Sequence, residues 1–200
     1  MSIPLKPHPA YKRLFTDLKK VEGKLKSQWK GPVYRCVEPR WARPEYLISG
    51  EGTRQHGSRW IRPNYSRVVH AASTETIALI ESRRAYANYG IKKPKKNPRV
   101  SVEISAELTR VIDLTKLEGV FDSPTVEELL CEDWVKLNCS GIETIAQAIG
   151  RGIHDLGFEG LIVPSVQDKR GRNLIWFPDK LFANSHISIS GEEELKQWLA

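Results

Sequence analysis

The sequence predicts an α+β fold, with strands scattered among helices in no regular alternation. Three observations carry that expectation. Short β-branched and aromatic runs are scattered among helical segments without the βαβ rhythm of a doubly wound sheet. The chain has 200 residues, enough for one domain with a real core plus a small appendage. Its hydrophobic content is 40% at a mean hydropathy of −0.42, as in a globular chain rather than a disordered one.

The first element expected is a helix over residues 10–29. Leu14, Leu18, Val21, Leu25 and Trp29 recur at steps of four and three amid lysines. Gly31-Pro32 is the expected stop, which makes residues 1–31 an N-terminal helical extension docked on a domain of residues 32–200. Val33–Val37 (VYRCV) and Arg67–Ala72 (RVVHAA) read as strands, separated by a glycine- and arginine-rich loop, GEGTRQHGSRW, at Gly50–Trp60. Ser73 or Thr74 can cap a helix reaching about Ala87, with Ile77, Leu79 and Ile80 on its apolar side. YGIKKPKKNP (Tyr89–Pro98) reads as a solvated, proline-broken loop.

Beyond it, Arg99–Ile104 and Arg110–Leu114 read as strands or strand fragments, and Thr125–Asn138 and Ile142–Leu156 as helices, the second ended by Gly157. GLIV (Gly160–Val163), a turn PSVQDKRGR, NLIWF (Asn173–Phe177), a strand at His186–Ile189 and a short terminal helix complete the chain.

Charge and composition narrow the function classes. Thirty-one Lys and Arg against 24 Asp and Glu leave a net charge of +7, which suits an anionic ligand without naming one. No run reaches the roughly 18 to 20 apolar residues of a membrane span, and MSIPLKPHPAYKRLF lacks the apolar stretch of a secretory leader. Three cysteines, Cys36, Cys131 and Cys139, form no C-x-x-C pair; the expectation is reduced thiols in a cytoplasmic protein, with no zinc site. Walker, Rossmann, zinc and G-x-S-x-G signatures are all missing.

Four polar features stand out. Arg35 interrupts an apolar strand, Glu81 follows IALI in a helix, Ser165 follows the strand GLIVP, and Arg59-Trp60 ends the glycine-rich loop. Arginine offers a planar fork of donors to phosphate oxygens, and a carboxylate can hold ribose hydroxyls and offset positive charge at C1. Each has a plainer reading: an exposed strand arginine, a solvent-facing glutamate, a turn serine. His70 in an apolar strand reads as a satisfied core histidine, and Trp60 as core or pocket wall.

Taken together, VYR at Val33–Arg35, GEGTRQHGSRW at Gly50–Trp60, VVHAASTETIALIE at Val68–Glu81, EDW at Glu132–Trp134, AIGRGIHDLGFEGL at Ala148–Leu161 and GLIVPSVQDKRGRNLIWFPDKL at Gly160–Leu181 resemble the RES domain family. The resemblance spans about Pro32 to Ser190. It implies a split β-sheet core like that of ADP-ribosyltransferases, NAD as the substrate, and Arg35, Glu81 and Ser165 as the catalytic set. On the same reading Tyr34, Arg59, Trp60, His70 and Asn173 bind the substrate.

It further implies a toxin of a type II toxin-antitoxin pair. Such a toxin is blocked by an Xre-type helix-turn-helix antitoxin, with a homo-oligomer possible inside the complex. The acceptor of ADP-ribose stays open among water, phosphate and a protein side chain. No metal is called for, because nicotinamide leaves as a neutral molecule. This sequence departs from the family pattern at His70, where tyrosine is usual, at Ser58 in a glycine position, and at Ile61, where asparagine is expected. The alternative is a nucleic-acid-associated module resting on the lysines of residues 12–30 and on KKPKK (Lys92–Lys96), although these are not interleaved with aromatics in any known RNA- or DNA-reading pattern.

Overall fold

The computed structural model describes residues 4–88, 98–118, 124–166, 168 and 171–199. In chain order these give α1 (Tyr11–Leu25), β1 (Lys26–Val37), α2 (Pro44–Ser49), α3 (Glu51–His56), β2 (Val69–Ala72), α4 (Glu75–Asn88) and β3 (Val100–Asp113). There follow α5 (Val126–Cys131), α6 (Trp134–Cys139), α7 (Ile145–Asp155), β4 (Gly160–Pro164), β5 (Arg172–Trp176), β6 (His186–Ile189) and α8 (Glu192–Leu199). The KKPKK segment lies outside the described residues.

The strands make one six-stranded sheet that closes on itself. Pairing runs β1–β2–β5–β4–β3, and β3 returns to β1, while β6 takes the remaining length of β3. Among the described strands only β3 and β4 are parallel. β1 and β3 pair almost end to end, from Lys26 opposite Ile112 to Val37 opposite Val100. By contrast, β2 meets β1 at the one pair Tyr34–Ala72, so the ring is split there. This is the expected α+β class with a split sheet.

Strand alternation sorts the core. Ile162, Leu174 and Trp176 join Val33, Leu47, Val69 and Ala71 in one cluster, whereas Leu161, Val163 and Ile175 face the helices with Leu14, Leu18, Ile149 and Ile153. A small third cluster, Cys36, Ala72, Ile77 and Ala78, seats α4 on the sheet beside the split.

Several boundaries differ from the sequence reading. The first helix ends at Leu25, and residues 26–30 belong to β1, which runs on through Gly31-Pro32. The apolar stripe suited a helix locally, but the long ladder to β3 satisfies more backbone groups, and Trp29 joins the β1 face of the sheet core. The glycine-rich loop contains α3, started by Gly50 at φ +68°; a Cβ there would lie 2.7 Å from the Val68 backbone nitrogen.

The two fragments near residues 99–114 are one strand, and Thr125–Asn138 is two helices, the second capped by Asp133 accepting from the Lys136 N–H. Capping boxes at Thr125–Glu128 and Thr144–Gln147 set the starts of α5 and α7, so the latter begins three residues later than expected.

α1 does dock on the rest, through a polar network on α7. The hydroxyls of Tyr11 and Tyr65 both donate to Asp155, and Arg151, lying 3.3 Å over the Tyr11 ring, pairs through two hydrogen bonds of 2.8 Å with the fully buried Glu143. Glu143 also accepts from the His8 N–H at 2.6 Å.

Candidate active site

Glu81 is placed by the start of its helix. The Thr74 hydroxyl accepts from the Ile77 N–H at 3.3 Å and its carbonyl from the Ala78 N–H at 3.0 Å, as the cap expectation required. Two turns later Glu81 stands half-buried over the sheet. At the end of β4, the Ser165 N–H donates to the Gly171 carbonyl at 2.9 Å, closing the loop that joins β4 to β5. This holds Ser165 at 4% exposure, with its hydroxyl donating to Glu81 Oε1 at 2.9 Å. Asn173, first after Arg172 in β5, donates from Nδ2 to the same oxygen at 3.3 Å. Oε2 of Glu81 takes no hydrogen bond among the described residues. Two neutral donors thus fix the carboxylate by one oxygen and leave the other without a hydrogen bond among the described residues.

His70 sits on β2, and its Nε2 is buried with no hydrogen-bond partner among the described residues. Burial first, then the positive charges of Arg35 and Arg59, push its pKa down to about 4, so the ring is neutral at physiological pH. The plain reading of a satisfied core histidine is therefore incorrect for this nitrogen. Arg35 follows Tyr34 in β1, just where β1 parts from β2, and donates to the Leu47 carbonyl of α2. Burial lowers its pKa to about 10, and it makes no ion pair among the described residues. A desolvated cation without a carboxylate is a ready partner for an anionic ligand.

The other expected residues divide. Arg59 Nη1 donates to the carbonyls of Leu129 (3.2 Å) and Glu132 (2.8 Å), so its charge reaches His70 while its fork holds the end of α5. Trp60 is 3% exposed within the larger core, and its carbonyl abuts Gly150 so closely that a Cβ there would come within 1.8 Å. The Tyr34 ring lies against the small cluster under α4, and its hydroxyl donates to Glu103 on β3 at 3.0 Å. The structure therefore joins Glu81, Ser165 and Asn173 directly, brings His70 under the charges of Arg35 and Arg59, and gives Trp60 and Tyr34 packing partners of their own.

One contact escaped the sequence reading, and one motif it singled out received no role there. The Leu47 carbonyl that receives Arg35 is a backbone group on a six-residue helix and has no residue-type signal. The EDW block is architectural: Glu132 accepts from the Ile145 and Ala146 N–H groups at the start of α7, Asp133 caps α6, and Trp134 is buried. A cavity of about 730 Å³ opens beside Ser165, walled by Leu117, Val126, Leu130, Glu118 and Glu127. Among the described residues no group of three or more His, Cys, Asp or Glu side chains could hold a metal ion, and no helix is long and apolar enough to cross a membrane.

The whole chain is similar in fold to a chain in the crystal structure of the M. tuberculosis MbcT-MbcA toxin-antitoxin complex. The TM-score is 0.62 at 19% identity, over 92% of this chain and 95% of that one. No curated protein sequence matches the chain. The crystallised chain thus shares the α+β fold that the sequence predicts. The sequence pattern of the RES domain matches residues 32–196, a span that starts inside β1 and takes in Arg35, Glu81 and Ser165 alike, and the chain belongs to the RES domain family.

Proposed function

We propose that this protein is an NAD-consuming toxin whose cleft breaks the bond between nicotinamide and ribose. The observation that carries the reading is Glu81, gripped on Oε1 by Ser165 and Asn173 and open on Oε2, in a fold that also holds a half-buried arginine with no carboxylate partner among the described residues. Arg35 binds the pyrophosphate, and the positive surround of Arg59 assists. Glu81 Oε2 accepts from a ribose hydroxyl and faces the positive charge that develops at C1 as the bond breaks. The bonding pair leaves with the ring nitrogen, so nicotinamide departs neutral and needs no metal or acid to receive it. Ser165 holds the carboxylate in place and borders the adjoining cavity, from which the acceptor attacks C1.

Water, giving up one proton, yields ADP-ribose; phosphate or a protein side chain in its place makes the enzyme a phosphorylase or an ADP-ribosyltransferase. The reading includes a cytoplasmic setting and an Xre-type antitoxin that covers the cleft. Its support is the fold relative, a chain that was crystallised within a toxin-antitoxin complex. A homo-oligomer inside such a complex belongs to the same proposal.

Incubating the purified chain with NAD, with and without phosphate, and identifying the products by mass tests this. Release of nicotinamide is the expected result, and the second product names the acceptor. Unchanged NAD with a folded protein would refute the enzyme. Steep loss of polynucleotide binding with salt would then favour the nucleic-acid module, which has the exposed lysines 12, 19 and 24 of α1 behind it.

A further inference from the structure

Two buried polar atoms on neighbouring strands β2 and β5 have no partner among the described residues: Nε2 of His70 and Oδ1 of Asn173. Native interiors leave few such atoms unmatched, and two together point to a ligand that matches both.

The sheet brings them together. β2 and β5 are antiparallel, with His70 opposite Ile175 and Ala72 opposite Asn173. Opposed residues share a face and side chains alternate, so His70 and Asn173 stand on one face as diagonal neighbours, about 7–8 Å apart at Cα. It is the face under α4, where Ala72 packs on Ile77 and Ala78 and Asn173 reaches Glu81.

Chemistry limits what each atom can offer. A carboxylate only accepts, so the Asn173 amide must turn Nδ2 to Glu81 and present Oδ1, an acceptor, at its other end. His70 is neutral, so Nε2 donates in the tautomer that carries the proton there, which is the tautomer assigned here. One donor and one acceptor on a shared face are the complement of a primary carboxamide, whose oxygen accepts and whose NH₂ donates.

We propose that His70 Nε2–H and Asn173 Oδ1 hold the carboxamide of the nicotinamide ring, so that the site selects the amide dinucleotide over its carboxylic acid form. This deepens the NAD reading of the same cleft and rests on it. Its geometry agrees with the bond to be broken, since Asn173 spans from Glu81, which faces C1, to the substituent of the ring that leaves C1. The acid form lacks the hydrogen that Oδ1 requires and sets a negative oxygen against it. Of the two cations whose charge reaches His70, Arg35 donates to the Leu47 carbonyl and is assigned to the pyrophosphate, and Arg59 has Nη1 on the carbonyls of Leu129 and Glu132.

The test is kcat/KM of the full chain for NAD and for nicotinic acid adenine dinucleotide, with released nicotinamide and nicotinate quantified. A preference for NAD of about a hundredfold or more is expected, as for sites whose buried polar groups demand a matching partner. His70→Phe should cut that preference about tenfold or more, and His70→Gln, which returns an N–H near the Nε2 position, should restore most of it. Equal use of both dinucleotides by the wild-type protein, or a His70→Phe loss equal for both, would overturn the proposal and leave the NAD reading standing. Turnover of neither, with no binding of free nicotinamide by calorimetry, would overturn both.

Discussion

The hydroxyl of Ser165 donates to Oε1 of Glu81 at 2.9 Å across 84 residues of chain. One partner ends a strand and the other lies mid-helix, so the contact exists only because α4 seats on the sheet beside β5. It leaves the charge of Glu81 directed by neutral donors rather than cancelled by a cation.

Glu81→Gln keeps the size of the side chain and an oxygen for both Ser165 and Asn173, but removes the negative charge. A charge that acts as the C1–nitrogen bond breaks contributes about 3–4 kcal/mol, so kcat should fall several-hundredfold with NAD affinity little changed. Single-turnover rates at saturating NAD, beside a binding isotherm, check this. Near-normal turnover would remove Glu81 from the mechanism.

Arg35→Ala should act on binding instead. Losing a charged contact to pyrophosphate costs roughly 2–4 kcal/mol, seen as a raised KM for NAD. Binding of ADP-ribose, which keeps the pyrophosphate and lacks nicotinamide, should weaken in parallel. Unweakened ADP-ribose binding would return Arg35 to a packing role on Leu47.

His70 should leave a mark on stability. Its folded pKa of about 4 lies below the ordinary 6.5, so between those values the unfolded chain holds the extra proton. Stability therefore rises with pH across that window, by up to about 3 kcal/mol, and is lost again as pH falls from 6.5 toward 4. Denaturant midpoints from pH 4 to 7 should show this slope in the wild type and a flatter one in His70→Phe. Identical slopes would mean that His70 titrates normally.

Asp155 governs the docking of α1. Although burial opposes it, the hydroxyls of Tyr11 and Tyr65 and the His154 ring hold its carboxyl below the usual 3.8. That contribution is present above the unfolded value and disappears as pH falls through the folded one. Asp155→Asn should cost about 1–3 kcal/mol at neutral pH through weakened hydrogen bonds from both tyrosines. Hydrogen exchange should quicken first in α1; uniform exchange across α1 and the sheet would contradict this.

Local physics made much of the chain readable. Alternation marked the strands around Arg35 and His70, hydroxyl caps marked the start of α4, and Gly157, at φ +74°, ends the turn after α7. Reading failed where a long-range ladder competed with a local pattern. Residues 26–30 complete a helical stripe yet pair with β3, because unpaired strand backbone there would cost more than the helix continuation gains. Glycines 50 and 57 looked like loop material, but each takes a positive φ at an end of α3 and so bounds a helix.

The candidate site divides along the same line. Residue type and order picked out the candidate side chains, since a strand arginine, a helix glutamate and a strand-end serine are legible one at a time. Whether they meet was decided by tertiary structure. Register sets His70 and Asn173 on one face, the split between β1 and β2 opens beside Arg35, and Ser165 reaches Glu81 only through the packing of α4. Contacts between residues far apart in sequence depend on pairing and packing summed over the whole fold, and no local pattern encodes that sum.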